Sequence, residues 1–576
     1  MTSAADFWQL WCVGVDERGV VHKPLFKVTV SPKLAVHDVM DEIQQQPSQV
    51  PPMYIEFYKV VTPISALLRD VEIQATVADF SFQERTEPPN KDHDAVLLHP
   101  AEVISTYWES KPDLQYVHII ARYFQTASGT KRLREASEAD INFKRLKSAI
   151  GGVPPSSLGR PANFQEIAGE TQFVALNRPF EPNAIPLALF DQAFGIFRDR
   201  CKGPPSDDAL ACLYELSIAG CRWYPEEKLR RDAIAPVLSK YLGLELHTGT
   251  VPNTEYITNG NLSVNIMPAL IRECKNESGV GLNEAIAYYG NYLLNALKDY
   301  SEYNTRFPCL LFVDVGTHVG FYGAVWDGLR IRVEPLTRGF DLMTPWKEKE
   351  DRYKMASILD ALVETARFIE NHYASIVKEK SLKLRRQYPF LSSYRDDVEQ
   401  RDIGFTYGEQ LGEDKLLFSA VTDSIEFIVI KFTTQYSVDA HKYLARLGLA
   451  PRIRQSVRIS ADWFAIIMDW SDYTNLYEFG SHLSELQRDK VRSRVLDIVQ
   501  ELHRGCFVHG DIRDTNLLVD IDSLVDEVVQ IHLVDFDWAG RIGEARYPYG
   551  LNYTTVKRPK EVTSGGLIAE QHDIDM

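Results

Sequence analysis

The chain has 576 residues, enough for three or four domains at roughly 150 residues each. With 45% hydrophobic and 25% charged residues it reads as globular, and a net charge of −17 argues against a surface that grips nucleic acid everywhere, leaving only a local basic cleft for such a partner. No apolar run approaches the roughly 18 residues of a membrane span, and seven dispersed cysteines without a Cys-x-x-Cys pair fit reduced thiols better than a disulfide frame or zinc site.

The N-terminus lacks a basic region followed by an apolar one, so a cytoplasmic folding environment is expected. Phe7–Val15 reads as a strand turned by Asp16–Gly19, and Leu25–Val30 alternates as a second strand. Ser31 and Pro32 then open a helix carrying Leu34, Val36, Val39, Met40 and Ile43. Tyr54–Val61 is a third strand, Leu97–Tyr107 a helix and Tyr116–Tyr123 a closing strand. Hairpin, helix, strand and late strand make a β-grasp, or ubiquitin-like, pattern over 7–125.

A polar linker is expected over 126–184. Its two basic clusters, Lys131, Arg132 and Arg134, then Lys144, Arg145 and Lys147, fit either a nuclear-import signal or the solvated face of a helix. From 185 to 375 the pattern is α/β. Helices are expected over Ala188–Arg200, Ala209–Ala219 and Pro225–Tyr241, then strands over Tyr256–Asn265 and Met267–Lys275. Helix Glu284–Tyr300, strands Cys309–Val315 and Tyr322–Trp326, and helix Tyr353–Ser375 follow. GTHVGFYG at 316–323 reads as a strand turn, and Asp314 and Asp327 as structural. After a charged connector over 376–402, the last segment, 403–576, opens with a hairpin of Leu416–Ala420 and Glu426–Phe432. A helix over Ser437–Leu447, strands to Trp470 and a helix over Glu485–Arg504 come next.

Two segments carry chemistry. In VHGDIRDTNLLV, His509, Asp511 and Asn516 fit H-x-D-x-x-x-x-N, and IHLVDFDWAG places Asp535-Phe536-Asp537 beyond a hairpin. This resembles the catalytic loop and metal-binding aspartate of protein kinases and of the wider kinase/aminoglycoside-phosphotransferase clan. The resemblance implies ATP and Mg²⁺ as cofactors. Asp511 would orient the attacking hydroxyl, Arg513 would face the γ-phosphate where kinases carry lysine, and Asn516 and Asp535 would hold the metal. His509 would buttress the loop. Lys431, ending the strand FIVIKFT, matches the phosphate-pairing lysine, with Asp439 of the next helix as its acidic partner. Asp469, Trp470 and Ser471 in IIMDWSD match the hinge that meets adenine through backbone groups. The glycine-rich loop is reduced to Gly408 and Gly412 of YGEQLGEDKLLF, and Gly510 replaces the usual arginine, as in kinases not governed by a phosphorylated activation loop. Asp537 replaces the usual glycine. The residues after Asp537 are too few for the full helical lobe that docks protein substrates, with His572-Asp573 marking one helix.

In the middle segment, ALIRECKNESGVG puts Glu273 and Lys275 on one side of a strand. With Glu226, Glu227 and Arg230 before and a helix bearing Tyr288 and Tyr292 after, it resembles the PD-(D/E)XK nuclease fold. The aspartate that family needs falls at Asn259, and an amide is a poor metal ligand. The resemblance therefore implies a fold in which hydrolysis has decayed. FWQLWCVGVDERGVVHKPLFKVTVSPKLAVHDVMDEI, MYIEFYKVVTPI, LLHPAEVISTYW and YVHIIARY resemble the N-terminal ubiquitin-like domain of Crinkler-type proteins of fungi and oomycetes. That resemblance implies either secretion and delivery to a host cell, including its nucleus, or a part in conflict between organisms. A small domain that binds a protein partner is the plainer reading. The sequence thus supports a kinase acting on a protein hydroxyl, with two alternatives: a Mg²⁺-dependent nuclease with a regulatory kinase-like part, and a non-catalytic interaction protein.

Overall fold

In the computed structural model the described residues are the strands of a first unit, within 1–137, and most of a second unit, 138–576. In the first these are 8–16, 21–30, 54–63, 81–83, 94–97 and 116–124. In the second they are 143–576 except 171–172, 179, 181–183, 265–266, 301–304, 377–385, 397–399, 413–414 and 555.

The first unit is a six-stranded mixed sheet. Trp8–Asp16 pairs antiparallel with Val21–Val30 and parallel with Tyr116–Phe124. Tyr54–Pro63 flanks the other side of Tyr116–Phe124, antiparallel, and Asp94–Leu97 and Ser81–Gln83 extend that edge. The helix expected over 34–43 lies outside the described residues, as do 98–107 of the second expected helix. Leu97 instead ends a short strand.

The second unit begins earlier than the expected linker allows. A helix over 143–150 buries Leu146 and Ile150, and Leu158, Phe164, Ile167 and Val174 follow them into the middle core. The linker over 126–184 is therefore too long, because a composition rich in charge hid an apolar stripe. Lys144, Arg145 and Lys147 are exposed on that helix, as a solvated face would be, while the first basic cluster lies outside the described residues.

The middle core is a seven-stranded sheet. Its main order is Val174–Ala175, Ile331–Pro335, His318–Trp326, Cys309–Val315, Met267–Lys275 and Asn261–Val264, with Phe340–Asp341 on His318–Trp326. Met267–Lys275 and Cys309–Val315 are parallel, joined by the helix Gly281–Tyr300, which packs on both. Both strands are buried almost throughout, which is why they read as continuous apolar runs. Three expectations change. The helix drawn over Ala188–Arg200 is broken at Asp191, whose carboxylate accepts the Ala193 N–H and caps Gln192–Arg200. The strand drawn over Tyr256–Asn265 shrinks to Asn261–Val264. The connector 376–402 is structured in part, since Ser393–Arg395 pairs with Asp402–Gln410.

That pairing starts an antiparallel sheet ordered Ser393–Arg395, Asp402–Gln410, Leu417–Thr422, Phe427–Thr433, Phe464–Asp469, Ile453–Arg458. The helix Val438–Arg446, capped by Ser437, packs beside it. Glu485–Arg504 forms as expected, fixed at its start by a Ser484–Gln487 capping box. Small ladders join Thr474–Asn475, Leu517–Val519 and Ile531–Leu533, and Phe507–Val508 with Gly540–Arg541. A terminal helix, Glu570–Asp575, covers His572 and Asp573.

The middle and last segments are joined along this antiparallel sheet, the upper sheet of the last segment. The Phe390 N–H donates to the Leu189 carbonyl, and the buried Arg306 guanidinium donates to the carbonyls of Arg386, Tyr388 and Pro389. Leu189 sits in the same apolar cluster as Phe405, Phe418 and Ile430. Among the described residues no helix is long and apolar enough to cross a membrane.

Candidate functional site

The C-terminal site is built on two turns. The first follows Phe507–Val508, where Gly510 has φ +80° and an added Cβ would crowd Ile568. A side chain at 510 is thus disfavoured twice, which accounts for glycine where kinases carry arginine. Asp573, fully buried in the terminal helix, accepts the N–H groups of His509 (2.8 Å) and Gly510 (2.6 Å) and pairs with His503 (3.1 Å). His509 bridges inward: its Nδ1 accepts the Asp511 N–H and its Nε2 meets the Val534 carbonyl. Burial lowers the His509 pKa, which keeps the ring neutral for these bonds.

Asn516 Nδ2 donates to both the carbonyl (2.9 Å) and the carboxylate (3.0 Å) of Asp511. The other donors to that carboxylate are Arg513 at 2.7 Å and Arg558 at 3.4 Å. Arg558 carries no motif that would single it out in the sequence. It lies 47 residues away, its side chain is 3% exposed, and it stacks over Trp538.

The second turn carries Asp535 at φ +72°. Lys431 pairs with Asp535 at 2.5 Å and Asp537 at 2.6 Å. Asp439, the expected partner of Lys431, is exposed in the first turn of its helix. The inward position there belongs to His441, which bonds Tyr436 and the Pro451 carbonyl and stacks on Phe536 at 4.5 Å. Asp537, which the sequence marks only as a departure from glycine, replaces the missing helix carboxylate. Lys415, also without a motif of its own, donates to Asp535 Oδ2 at 3.0 Å and reaches Asn516 Oδ1 at 3.5 Å. Its one sequence signal is its place in the loop that follows Gly412.

Burial alone would raise the Asp535 carboxyl, but Lys431 and then Lys415 outweigh it and hold it well below the usual carboxylate range. Asp537 goes the other way: burial, reinforced by Asp535, pushes it up to about 6 against the pull of Lys431. Asn516 Oδ1 and Asp535 Oδ2 share one cation, Lys415, so as a pair of hard oxygens they fit a divalent metal. Among the described residues no group of three or more His, Cys, Asp or Glu is placed to hold a metal ion.

The hinge residues are more committed than expected. The Asp469 N–H donates to the Arg452 carbonyl and the Trp470 N–H to the Phe427 carbonyl. The Asp469 carboxylate is held by Arg454 and the Ser471 hydroxyl by His532. An adenine would therefore have to use backbone groups other than those two N–H donors.

In the middle segment a second cluster forms. Lys275 Nζ contacts Glu284 at 2.8 Å, Glu273 at 2.9 Å and Glu227 at 3.5 Å. Asn259 Nδ2 donates to Glu273 (3.0 Å) and Glu227 (3.2 Å). Of the two upstream glutamates, Glu227 is the one brought in; Glu226 is exposed just before the helix. Glu284 is a site residue that the sequence reading misses, although it stands in the first turn of the helix after the strand. Burial pushes Glu273 up to about 7; Lys275 opposes this and Glu284 and Glu227 add to it. Its Oε2 is buried without a hydrogen-bond partner. Tyr288 donates to the Ile257 carbonyl, and burial, with the same carboxylates, raises its phenol. Asp314 chelates Arg272 and Asp327 caps the turn before Arg330, both structural roles.

No family model matches the chain. Among curated proteins it is similar to serine/threonine-protein kinase 1 of African swine fever virus. One isolate's protein is 32% identical over 75 residues, which is 13% of this chain and 24% of the relative. Another is 31% identical over 75 residues, 13% and 23%. The chain thus spans about a quarter of the length of the curated relatives it matches. Among solved structures, the kinase PK-1 of Cydia pomonella granulovirus is 18% identical over 26% of this chain and 55% of its own, with a TM-score of 0.23, too low to weigh on the fold.

Proposed function

We propose that the 403–576 segment is an ATP-dependent phosphotransferase acting on a protein serine or threonine hydroxyl. The observation that supports it best is the Asp511 carboxylate, held by Asn516 and Arg513 beside the Lys431–Asp535 pair. Phosphoryl transfer asks chiefly for positioning and charge neutralisation. Asp511 accepts or orients the proton of the incoming hydroxyl. Lys431 and Lys415 offer cations to the phosphates, and Arg513 offers one to the transferring group. Mg²⁺, held by Asn516 and Asp535, would supply the remaining neutralisation between the phosphates. The similarity to the viral kinases, short as it is, points the same way. Incubation with γ-labelled ATP tests the proposal. Label should enter the chain or a generic protein acceptor, and Asp511→Asn should cut transfer about 10²–10⁴-fold while leaving ATP affinity nearly unchanged. Equal transfer by both proteins would end the role of Asp511.

A second reading concerns the middle segment, favoured by the meeting of Glu227, Asn259, Glu273 and Lys275 at one place. We read it as a nuclease-like fold in which Asn259 donates where a metal ligand should accept, leaving it as a scaffold. Little or no DNA cleavage in Mg²⁺ is expected. Robust cleavage lost in Lys275→Ala would reverse this. For the first unit, the parallel pairing of its first and last described strands supports the ubiquitin-like reading and, with it, a protein partner and the Crinkler-type assignment. Secretion into a host cell rests on that assignment.

A further inference from the structure

The loop lysine at 415 is where the site departs furthest from what its motifs lead one to expect. Its ammonium lies 3.0 Å from Asp535 Oδ2 and 3.5 Å from Asn516 Oδ1, the two oxygens assigned to a divalent metal under the proposed function. The carboxylates around it already face at least as many cations. Lys415 and Lys431 face Asp535 and Asp537, and Arg513 and Arg558 face Asp511. A dication added to that set would sit a few ångströms from the Lys415 ammonium, with no uncompensated carboxylate to attract it. Lys415 is also free to leave. Its side chain is 39% exposed, and it follows a turn at Gly412, which has φ +84° and open space where a Cβ would be. Lys431, at 10%, is not.

We propose that Lys415 is a tethered cation occupying the metal seat between Asn516 and Asp535, so that the nucleotide-free chain rejects divalent metal and accepts it only together with a nucleotide whose phosphates draw the ammonium away. The proposal rests on the assignment of Asn516 and Asp535 as metal ligands. It makes metal and nucleotide binding strongly coupled, with Lys415 as the coupling element.

Mn²⁺ binding to the full chain, followed by electron paramagnetic resonance without nucleotide and then with ADP, tests it. The parent should show no site without nucleotide and gain one with ADP. Lys415→Gln should bind Mn²⁺ without nucleotide at least about tenfold more tightly than the parent, because a like charge has left the seat. Lys415→Arg, which keeps the cation, should behave as the parent. Adding Asp535→Asn to Lys415→Gln should abolish the gained site. If the parent and Lys415→Gln bind Mn²⁺ equally without nucleotide, at a site lost in Asp535→Asn, the tethered-cation role is overturned while the ligand assignment stands. If neither binds Mn²⁺ even with ADP, both fall.

Discussion

At Glu273 a single lysine serves three glutamates, whereas at Asp535 two lysines serve two aspartates. Glu273 is buried and Asp535 largely so, and burial pushes both upward. The number of cations decides the outcome. Asp535 ends well below the usual range and stays an anion, while Glu273 ends at about 7 with one oxygen unbonded. The same residue types thus give one carboxylate that stays charged and another that is half-neutral at physiological pH.

The sharpest way to break this contrast is to remove each carboxylate in turn. Asp535→Ala should weaken ATP–Mg²⁺ binding about 100-fold or more by calorimetry, while Glu273→Ala should leave it unchanged. Equal effects would mean that the two clusters are not chemically distinct.

The next largest effect is expected at the support of the catalytic loop. Asp573→Ala strands the N–H groups of His509 and Gly510 in a buried place. Denaturant unfolding should show a loss of about 3 kcal/mol, together with reduced phosphotransfer. Unchanged stability would mean that the loop holds its shape without the terminal helix.

The third test uses pH. Glu273 has a higher pKa folded, about 7, than its ordinary 4.5, so the native state holds the proton more tightly. Its contribution to stability is complete below pH 4.5 and is lost as pH rises to 7, by on the order of 3 kcal/mol. Glu273→Gln should flatten that slope in urea titrations at pH 5 and 7.5. Asp535 has the opposite sign: its depressed pKa gives stability above the ordinary 3.8 that disappears only as the solution becomes strongly acid.

The smallest effect is expected from Asn259→Asp. It replaces the donor to Glu273 and Glu227 with a third anion, costing about 1 kcal/mol without metal and raising Mn²⁺ affinity at the middle cluster. A stabilised variant with unaltered metal affinity would contradict the picture of an amide standing in a ligand position.

What could be read in advance followed the range of the interactions. Glu485–Arg504 was legible at both ends because the signals of a helix are local, and the structure adds a Ser484–Gln487 box at its start. Met267–Lys275 and Cys309–Val315 were legible because buried parallel strands are continuous apolar runs. The spacing of Asp511, Asn516 and Asp535 placed three site residues together. Val174–Ala175 and Phe340–Asp341 were not legible: two residues carry no period, and pairing with the interior strands Ile331–Pro335 and His318–Trp326 makes them strands. The partner of Lys431 was misassigned to Asp439 because helix phase alone does not say which residue turns inward, and His441 took that place. Arg558 and Asp573 reach the catalytic loop from 47 to 64 residues away, where no spacing rule applies.

The join along the upper sheet has a mechanical consequence. That sheet is bolted to the whole middle segment through Leu189, Phe390 and Arg306, with Gly195 so close to Ser460 that a methyl group between them would clash. The sheet and the middle segment therefore form one body, and any widening of the gap that Lys415 and Lys431 now close onto Asp535 falls to the part built on Glu485–Arg504 and the terminal helix.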